Sequence, residues 1–235
     1  NGIALTRVLF PSTTYPAFCE KYELTNITDK PLEVMIPSGS LVNLTDSTKG
    51  VEGAYSLCTI LSPSSEKSVY RLQPGEKAGF QVIFAGYKHQ DKQGRLNVDD
   101  ELEKRRAFLK QIQGNLILET PHPVLNTMFS LAKIRGAESI FDTKGGYMQS
   151  PGGEAYYAAV WANDQAEYIN PFFPFLGYKL GNLSAMDSFR LFMKYMNDNY
   201  TPLPSSIIAE GTDCFGVAGD RGDAAMIAYG AARYA

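Results

Sequence analysis

The sequence predicts an α+β chain of more than one domain, with an N-terminal antiparallel β-sandwich followed by helices. Short apolar runs separated by turn residues fill the first third, and a three- and four-residue period replaces them after about residue 90. The 235 residues suffice for one large or two small domains, each with its own core. We expect a β-sandwich domain over residues 1–88, a linker with a helix over 89–120 and a helical domain over 121–235.

The N-terminal part has the alternation of half-buried strands. In "FCEKYELTNI", Phe18, Tyr22 and Leu24 are separated by polar residues, which is the period of a strand with one buried face. Further short apolar runs follow in "PLEVMIP", "AYSLCTIL" and "AGFQVIFAGY", and turn signals such as "PSGS" and "QPGEK" separate them. Strands at this spacing are typical of an antiparallel sandwich.

Five helices are predicted after the sandwich. The first runs from about Asp99 to Leu118, with acids at its start, where the helix dipole favours them. The second lies in "ETPHPVLNTMFSLAKIRG" with Thr120 as its cap, and the fourth lies in "LSAMDSFRLFMKYMNDNY" with Ser184 as its cap. The third and fifth are "GEAYYAAVWANDQAEYINPF" and "DRGDAAMIAYGAARYA". Long loops rich in glycine and proline join them, and a binding site is expected in such loops.

Charge and composition argue against several classes of function. The net charge of −3 and the pI near 5.5 offer no cationic surface for nucleic acid. No apolar run approaches the ~20 residues that a membrane helix needs. The chain opens on Asn1 without a signal peptide, and its last predicted helix runs to Ala235. We interpret it as part of a processed, secreted or periplasmic protein that continues beyond this segment.

The cysteines and histidines indicate neither a metal site nor a cofactor. Cys19 and Cys58 could bridge two strands, but the low cysteine density favours buried thiols. His89 and His122 are isolated, so metal-ligand and Ser-His arrangements lack support. No glycine-rich nucleotide-binding motif is present either, and we expect no cofactor.

The stretch "YYAAVWANDQAEY" carries the strongest functional signal, and it contains the only tryptophan of the chain. On a helix, Tyr157, Trp161, Asp164 and Tyr168 share one face at steps of four, three and four. Such aromatic stripes are usually core, which is one interpretation of this one. A carboxylate among aromatics must, however, be paired, hydrated or used. Aromatic faces stack on the C–H faces of sugar rings and carboxylates accept hydroxyl hydrogen bonds, so the alternative is a sugar-binding cavity.

A β-sandwich, a linker helix and helix pairs with "VWANDQAEY" resemble the six-hairpin glycosidases. In that superfamily the catalytic domain is an (α/α)₆ toroid, and its first-hairpin pattern is approximately W-x-R-D-x-A. Trp161, Asp164 and Ala166 match the pattern, whereas Asn163 stands where arginine is common. The resemblance implies that residues 121–235 form the first hairpins of the toroid. It also implies that Trp161 lines the subsite for the non-reducing end, that Asp164 holds sugar hydroxyls, and that Asn163 lies beside them.

Two further groups of residues are candidates for the same site. The segment "AEGTDCFGVAGDRGDAAM" contains four acids, of which Asp213 and Asp220 are candidates for binding and Glu210 and Asp223 for catalysis. Asp220 can equally cap the fifth helix. The loop "GGYMQSPGGEAYY" could place Tyr147, Gln149 and Glu154 over the cavity mouth, or it could be an exposed loop without a role.

The resemblance implies a glycoside hydrolase that acts on an oligo- or polysaccharide. Inversion would need two carboxylic acids about 6.5–9.5 Å apart, and in the resembling families these come from the middle and late hairpins. We therefore expect the acid and the base to lie outside this segment. A non-catalytic carbohydrate-binding protein with the same fold is the alternative, and Asn163 in place of arginine favours it. A polysaccharide lyase fits less well, because histidines are nearly absent.

Overall fold

The computed structural model divides the chain into two compact units, Asn1–Phe108 and Leu109–Ala235. It describes residues 2–50, 52–65, 67–91, 94–150, 158–208, 211, 213–214 and 222–235, with the backbone alone at residue 213. The boundary between the units falls inside the first helix. The division into residues 1–88, 89–120 and 121–235 stays a prediction.

The first unit is built on one antiparallel sheet. Its strands are β1 (Ile3–Pro11), β2 (Ala17–Asn26), β3 (Leu32–Met35), β4 (Gly39–Leu44), β5 (Tyr55–Pro63), β6 (Val69–Leu72) and β7 (Lys77–Lys88). Five of them form a sheet in the order β1-β2-β7-β5-β4, and β3 pairs with β6. All neighbouring pairs in the five-stranded sheet are antiparallel, as the sequence predicts.

One face of the five-stranded sheet packs against the two-stranded sheet. Leu24, Leu61 and Phe80 on that face contact a buried cluster that includes Ile36 and Leu72. The ring of Tyr22 stacks on its cross-strand partner Phe80 with the centroids 4.4 Å apart. The alternation of Phe18, Tyr22 and Leu24 therefore does mark one face of a strand, and the arrangement is sandwich-like.

The opposite face of the sheet packs against helix α1 (Val98–Gly114). Phe10, Cys19 and Ile83 point to that face and form a buried cluster with Val98 and Leu102. Because side chains alternate along a strand, the same strands supply both layers of the core. The helix begins where the sequence predicts it and ends four residues before the predicted Leu118.

A buried glutamate ties α1 to the turn between β1 and β2. Glu101 is 1% exposed, and its Oε2 accepts hydrogen bonds from Ser12 Oγ (2.6 Å) and the Thr13 N–H (3.2 Å). Its Oε1 accepts from Lys104 Nζ at 2.6 Å. Burial alone would raise the pKa of Glu101, but the hydrogen bonds from Lys104 and Ser12 and the Lys104 charge outweigh it and hold the pKa below its usual value.

The lowered pKa makes the stability of this unit pH-dependent in a defined direction. The stabilisation by ionised Glu101 is present above the unfolded pKa, about 4.3, and is lost as the pH falls through the lower folded pKa. We expect Glu101→Gln to cost about 1–3 kcal/mol at pH 7, and the difference from the parent chain to shrink toward pH 3. Urea unfolding across this range measures it. Glu103→Gln, at a residue that pairs with Arg106 on the surface, is the matched control with little effect. A difference independent of pH would contradict the assignment.

The cysteines of the first unit are free thiols. Cys19 and Cys58 are both buried and unbridged, as the sequence favours. Cys19 pairs with Ile83 and Cys58 with Ala85 on opposite sides of β7, so a strand separates them and no disulfide can span the gap. Burial, with a smaller contribution from the Glu101 charge, raises the pKa of Cys19 to about 11.

We expect Cys19 and Cys58 to resist alkylation at pH 8 in the folded protein. The nucleophile is the thiolate, and burial limits both its formation at Cys19 and the access of reagent to either residue. Intact mass after iodoacetamide treatment, with and without urea and without reductant, counts the reactive thiols. Unfolding should add both residues to the alkylated set. If the protein in urea still lacked two carbamidomethyl groups, the two missing thiols would be in a disulfide.

The second unit combines helices with short strands. Its helices are α2 (Pro123–Glu138), a π-helix (Asp164–Ile169), α3 (Phe173–Leu176), α4 (Lys179–Met193) and α5 (Asp223–Tyr234). Its strands are β8 (Ile140–Thr143), β9 (Gly146–Gln149), β10 (Val160–Trp161), β11 (Ser206–Ile208) and β12 (Asp213–Cys214). β8 pairs with β9, and β10, β11 and β12 form a small sheet in that order. No helix in the described part is long and apolar enough to cross a membrane.

Three details of the predicted helices are wrong. The segment expected to be the third helix contains β10 and the π-helix, because Val160 pairs with Ile207 and both side chains enter the core. Ser184 is not a cap but a buried residue inside α4, which begins earlier, at Lys179. The residue at the N-cap of α2 is His122 and not Thr120, whose Oγ accepts the His122 N–H at 3.1 Å.

A buried lysine closes the C-terminal end of α1. Lys133 of α2 is 2% exposed, and its Nζ donates to the carbonyl oxygens of Gln113 (2.9 Å), Asn115 (2.7 Å) and Leu116 (3.2 Å). These are carbonyls at or just beyond a helix end, which lack partners within the helix and carry its negative dipole. Lys133 therefore links α2 to the C-terminal end of α1, which begins the second unit.

Candidate functional site

Trp161, Asn163 and Asp164 do not share a helical face, yet they line the same cleft. Trp161 is on β10, Asn163 precedes the π-helix and Asp164 is its first residue. Alternation along the strand sends Val160 and Ala162 into the core and leaves Trp161 half-buried on the other side. The interpretation of Tyr157, Trp161, Asp164 and Tyr168 as one helical stripe is wrong, since Trp161 is in a strand and Tyr168 is 65% exposed.

A cleft of about 270 Å³ brings four of the predicted residues together. Trp161, Asn163 and Asp164 line it with Asp223, the first residue of α5, and Ala162 and Ser205 complete the lining. Sequence reasoning missed Ser205, because it enters the cleft only through the strand pairing. The Ala162 N–H donates to the Ser205 carbonyl at 2.9 Å, and Trp161 pairs with Ser206. The spacing of residues along the sequence does not predict this pairing of β10 with β11.

Close packing of α5 on the π-helix positions the two acids. A Cβ at Gly230 would lie 2.4 Å from the Ala166 carbonyl oxygen, so only glycine permits this approach. Ile227 and Ala166 belong to the same buried cluster. The π-helix itself is a rare element that occurs often at functional sites. Along the π-helix, Asp164 is exposed, whereas Gln165 and Ala166 are fully buried.

Asp223 is the residue of the cleft that packing explains least. It is 6% exposed, and its Oδ2 has no hydrogen-bond partner among the described residues. A buried carboxylate oxygen without a partner costs about 1–3 kcal/mol or more. The position at the N-terminus of α5 offsets about 0.3–1 kcal/mol of this through the helix dipole. Asp223, which lines the cleft, therefore carries a buried acceptor oxygen whose burial the described residues do not compensate.

The other predicted site residues fall outside this description. Glu154, Tyr157, Glu210 and Asp220 lie outside the described residues. Asp213 belongs to β12, and its backbone alone is described.

Elsewhere in the second unit, Asp187 and the Gln165 amide nitrogen are paired, whereas Gln165 Oε1, Asn170 Oδ1, Ser184 Oγ and Ser206 Oγ are buried neutral acceptors without a partner among the described residues. Asp187 accepts the Tyr147 N–H at 2.9 Å and pairs with Arg190 at 3.1 Å. Gln165 donates to the side chain and carbonyl of Gln149 at 2.9 and 2.8 Å. The described residues contain no group of three or more His, Cys, Asp or Glu able to hold a metal ion.

Comparison with known proteins supports the fold and not a family. No protein-family model matches the chain, and no curated protein matches its sequence. Solved structures do match it. One of them, described as "Putative kojibiose phosphorylase from human microbiome", is similar over 82% of this chain, with a TM-score of 0.53 and 8% sequence identity. This chain spans 33% of the length of that protein. The likeness shows a distantly shared fold.

We expect Asp223→Ala to leave the free energy of unfolding unchanged within about 1 kcal/mol, because it removes the unpaired oxygen together with the dipole interaction. Asp187→Ala is the matched control, since it removes a paired carboxylate and should cost about 1–3 kcal/mol. Urea unfolding of both variants makes the comparison. A loss above about 2 kcal/mol for Asp223→Ala would assign Asp223 a structural role instead.

Proposed function

We propose that this chain is part of a carbohydrate-active enzyme, a glycoside hydrolase that binds a sugar of an oligo- or polysaccharide in the Trp161 cleft. The observation that carries the proposal is the buried Asp223 Oδ2, which has no partner among the described residues, in a side chain that lines the cleft with Trp161 and Asp164. An acceptor of this kind needs a donor, and a sugar hydroxyl is one. The volume of about 270 Å³ is near the lower limit for a small-molecule site, which suits one or two sugar rings.

Each side chain of the cleft has a role in this proposal. The indole ring of Trp161 offers an apolar face for the C–H groups of a pyranose and an N–H donor at its edge. The Asp164 and Asp223 carboxylates accept hydroxyl hydrogen bonds, which are stronger than those between neutral groups. Asn163 adds one acceptor and two donors, and Ser205 contributes polar atoms at the same wall.

The likeness to a structure named as a phosphorylase supports the proposed class of substrate. In the proposal, the second unit forms the first hairpins of an (α/α)₆ toroid, and the first unit is the β-sandwich that precedes it. Asp164 and Asp223 bind substrate, and the general acid and base of an inverting hydrolase come from other hairpins. We also propose a secreted or periplasmic location.

A non-catalytic carbohydrate-binding protein is the second candidate, and Asn163 in place of arginine favours it. Asparagine bonds a hydroxyl but lacks the charged fork of arginine. Turnover of a panel of aryl glycosides, with and without inorganic phosphate, separates the possibilities. Release of the aryl alcohol without phosphate supports the hydrolase, and release that needs phosphate supports a phosphorylase. Sugar binding without either supports the binding protein.

Sugar binding in the cleft is testable through Trp161, which is the only tryptophan and therefore the source of the tryptophan fluorescence. We expect maltose, cellobiose or kojibiose to change this fluorescence. Asp164→Ala should weaken the effect at least about tenfold, because a hydrogen bond to a charged group contributes about 1.5–3 kcal/mol. The fold should stay intact, since Asp164 is exposed. Glu167→Ala, an exposed acid on the same π-helix, is the control without effect. Unchanged affinity in Asp164→Ala would refute the site.

A further inference from the structure

The first unit contains a second cleft, of about 300 Å³, that the proposed function does not use. Its residues include Tyr15 and Tyr87, which are half-buried, and Ala17 and Ala85, which come from neighbouring strands of the five-stranded sheet. Asp91, just after β7, stands at its rim and is exposed.

The sizes of the side chains on two neighbouring strands explain the hollow at the floor of this cleft. Ala17 of β2 and Ala85 of β7 are directly paired. On the same face of β7, the residues before and after Ala85 are Ile83 and Tyr87, since side chains alternate along a strand. Two methyl side chains therefore stand between much larger ones. This size difference leaves a depression with an apolar floor and an aromatic wall at Tyr87.

The second aromatic residue of the cleft, Tyr15, is held in place by contacts within the chain. Tyr15 lies in the turn between β1 and β2, and its N–H donates to Ser12 Oγ at 2.8 Å. Ser12 in turn donates to the buried Glu101 at 2.6 Å. A Cβ at Gly94 would lie 2.7 Å from the Tyr15 ring, so this ring packs directly on the glycine backbone. A ring fixed in this way loses little conformational entropy on binding.

The polar groups of the cleft have hydrogen-bonding capacity that the described residues leave unused. Within the part of the chain that the structure describes, the Tyr15 and Tyr87 hydroxyls and the Asp91 carboxylate make no hydrogen bond. The described lining residues include no lysine, arginine or histidine, and Asp91 interacts electrostatically with Lys88. Two aromatic rings, an apolar floor and acceptors at the rim are the features of a small-molecule site.

We propose that this cleft is a second carbohydrate-binding site, which takes a neutral sugar ring between Tyr15 and Tyr87. The C–H faces of the sugar lie on the aromatic rings and the alanine floor, and its hydroxyls donate to Asp91 and exchange hydrogen bonds with the tyrosine hydroxyls. A quaternary ammonium ion is the competing ligand. It favours an enclosure made of aromatic faces, whereas half of this lining is aliphatic. The proposal rests on these residues and not on the Trp161 cleft.

The position of the tryptophan allows the two clefts to be distinguished in one protein. Calorimetry detects binding at both clefts, whereas Trp161 fluorescence reports on its own cleft. The probes are maltose and cellobiose up to about 50 mM, which covers millimolar affinities. The variants are Tyr15→Ala, Tyr87→Ala and Ala85→Val, which fills the hollow. Asp164→Ala disables the Trp161 cleft, and Tyr200→Ala, at a tyrosine 93% exposed in the second unit, is the matched control. Circular dichroism selects the variants that fold.

We expect binding heat to persist in Asp164→Ala and Tyr200→Ala. In the Asp164→Ala background, where the remaining heat comes from the second cleft, Tyr15→Ala or Tyr87→Ala should weaken binding about tenfold. The fluorescence response to sugar should stay unchanged in the single tyrosine variants. Heat that disappears in Asp164→Ala, or that persists undiminished in every folded variant of the hollow, overturns the proposal. Absence of heat with both sugars, or heat with tetramethylammonium chloride alone, also overturns it. A failed fluorescence response with persisting heat would instead count against the Trp161 site.

Discussion

The close crossing of α5 over the π-helix is the constraint on which the candidate site depends. At the crossing, Gly230 meets the backbone of Ala166 at a distance that leaves no room for a side chain. Ile227, one turn earlier on α5, enters the core beside Ala166. With the crossing fixed at this point, the start of α5 brings Asp223 to the cleft that Asp164 lines. Two acids 59 positions apart in the sequence thus become neighbours through backbone contact, and not through any interaction of their own.

Buried charge is treated differently inside and outside the cleft. Glu101 and Lys133 are each almost fully buried, and each is hydrogen-bonded. Glu101 binds the turn between β1 and β2 and Lys104, and Lys133 binds carbonyl oxygens at the end of α1. Asp187 is likewise paired. Asp223 is the exception, with a buried oxygen that the described chain leaves unpaired. Uncompensated polar groups of this kind concentrate at functional sites, because stability is lost there in favour of binding.

Both clefts are lined by an aromatic side chain and by alanines at or next to β-strands. In the second unit, Val160 and Ala162 turn inward and leave Trp161 on the other side of β10. In the first unit, the paired Ala17 and Ala85 leave space beside Tyr87. Strand alternation thus sets the direction of the aromatic ring, and small neighbours supply the volume. The similarity to a solved structure at 8% identity supports the fold alone, so the chemistry is argued from these residues.

The sequence by itself determined the β-rich first unit, α1 and the existence of α2, α4 and α5, because strand and helix periodicity depend on neighbouring residues. It also singled out Trp161, Asn163, Asp164 and Asp223 by residue type. It could not determine that the motif would form a strand and a π-helix, since that outcome depends on the pairing of Val160 with Ile207, 47 positions away. Nor could it reveal Ser205 in the cleft, or the buried oxygen of Asp223 that no described residue contacts by a hydrogen bond. These features arise only when the core closes, because strand pairing and burial are properties of the packed chain and not of any local segment.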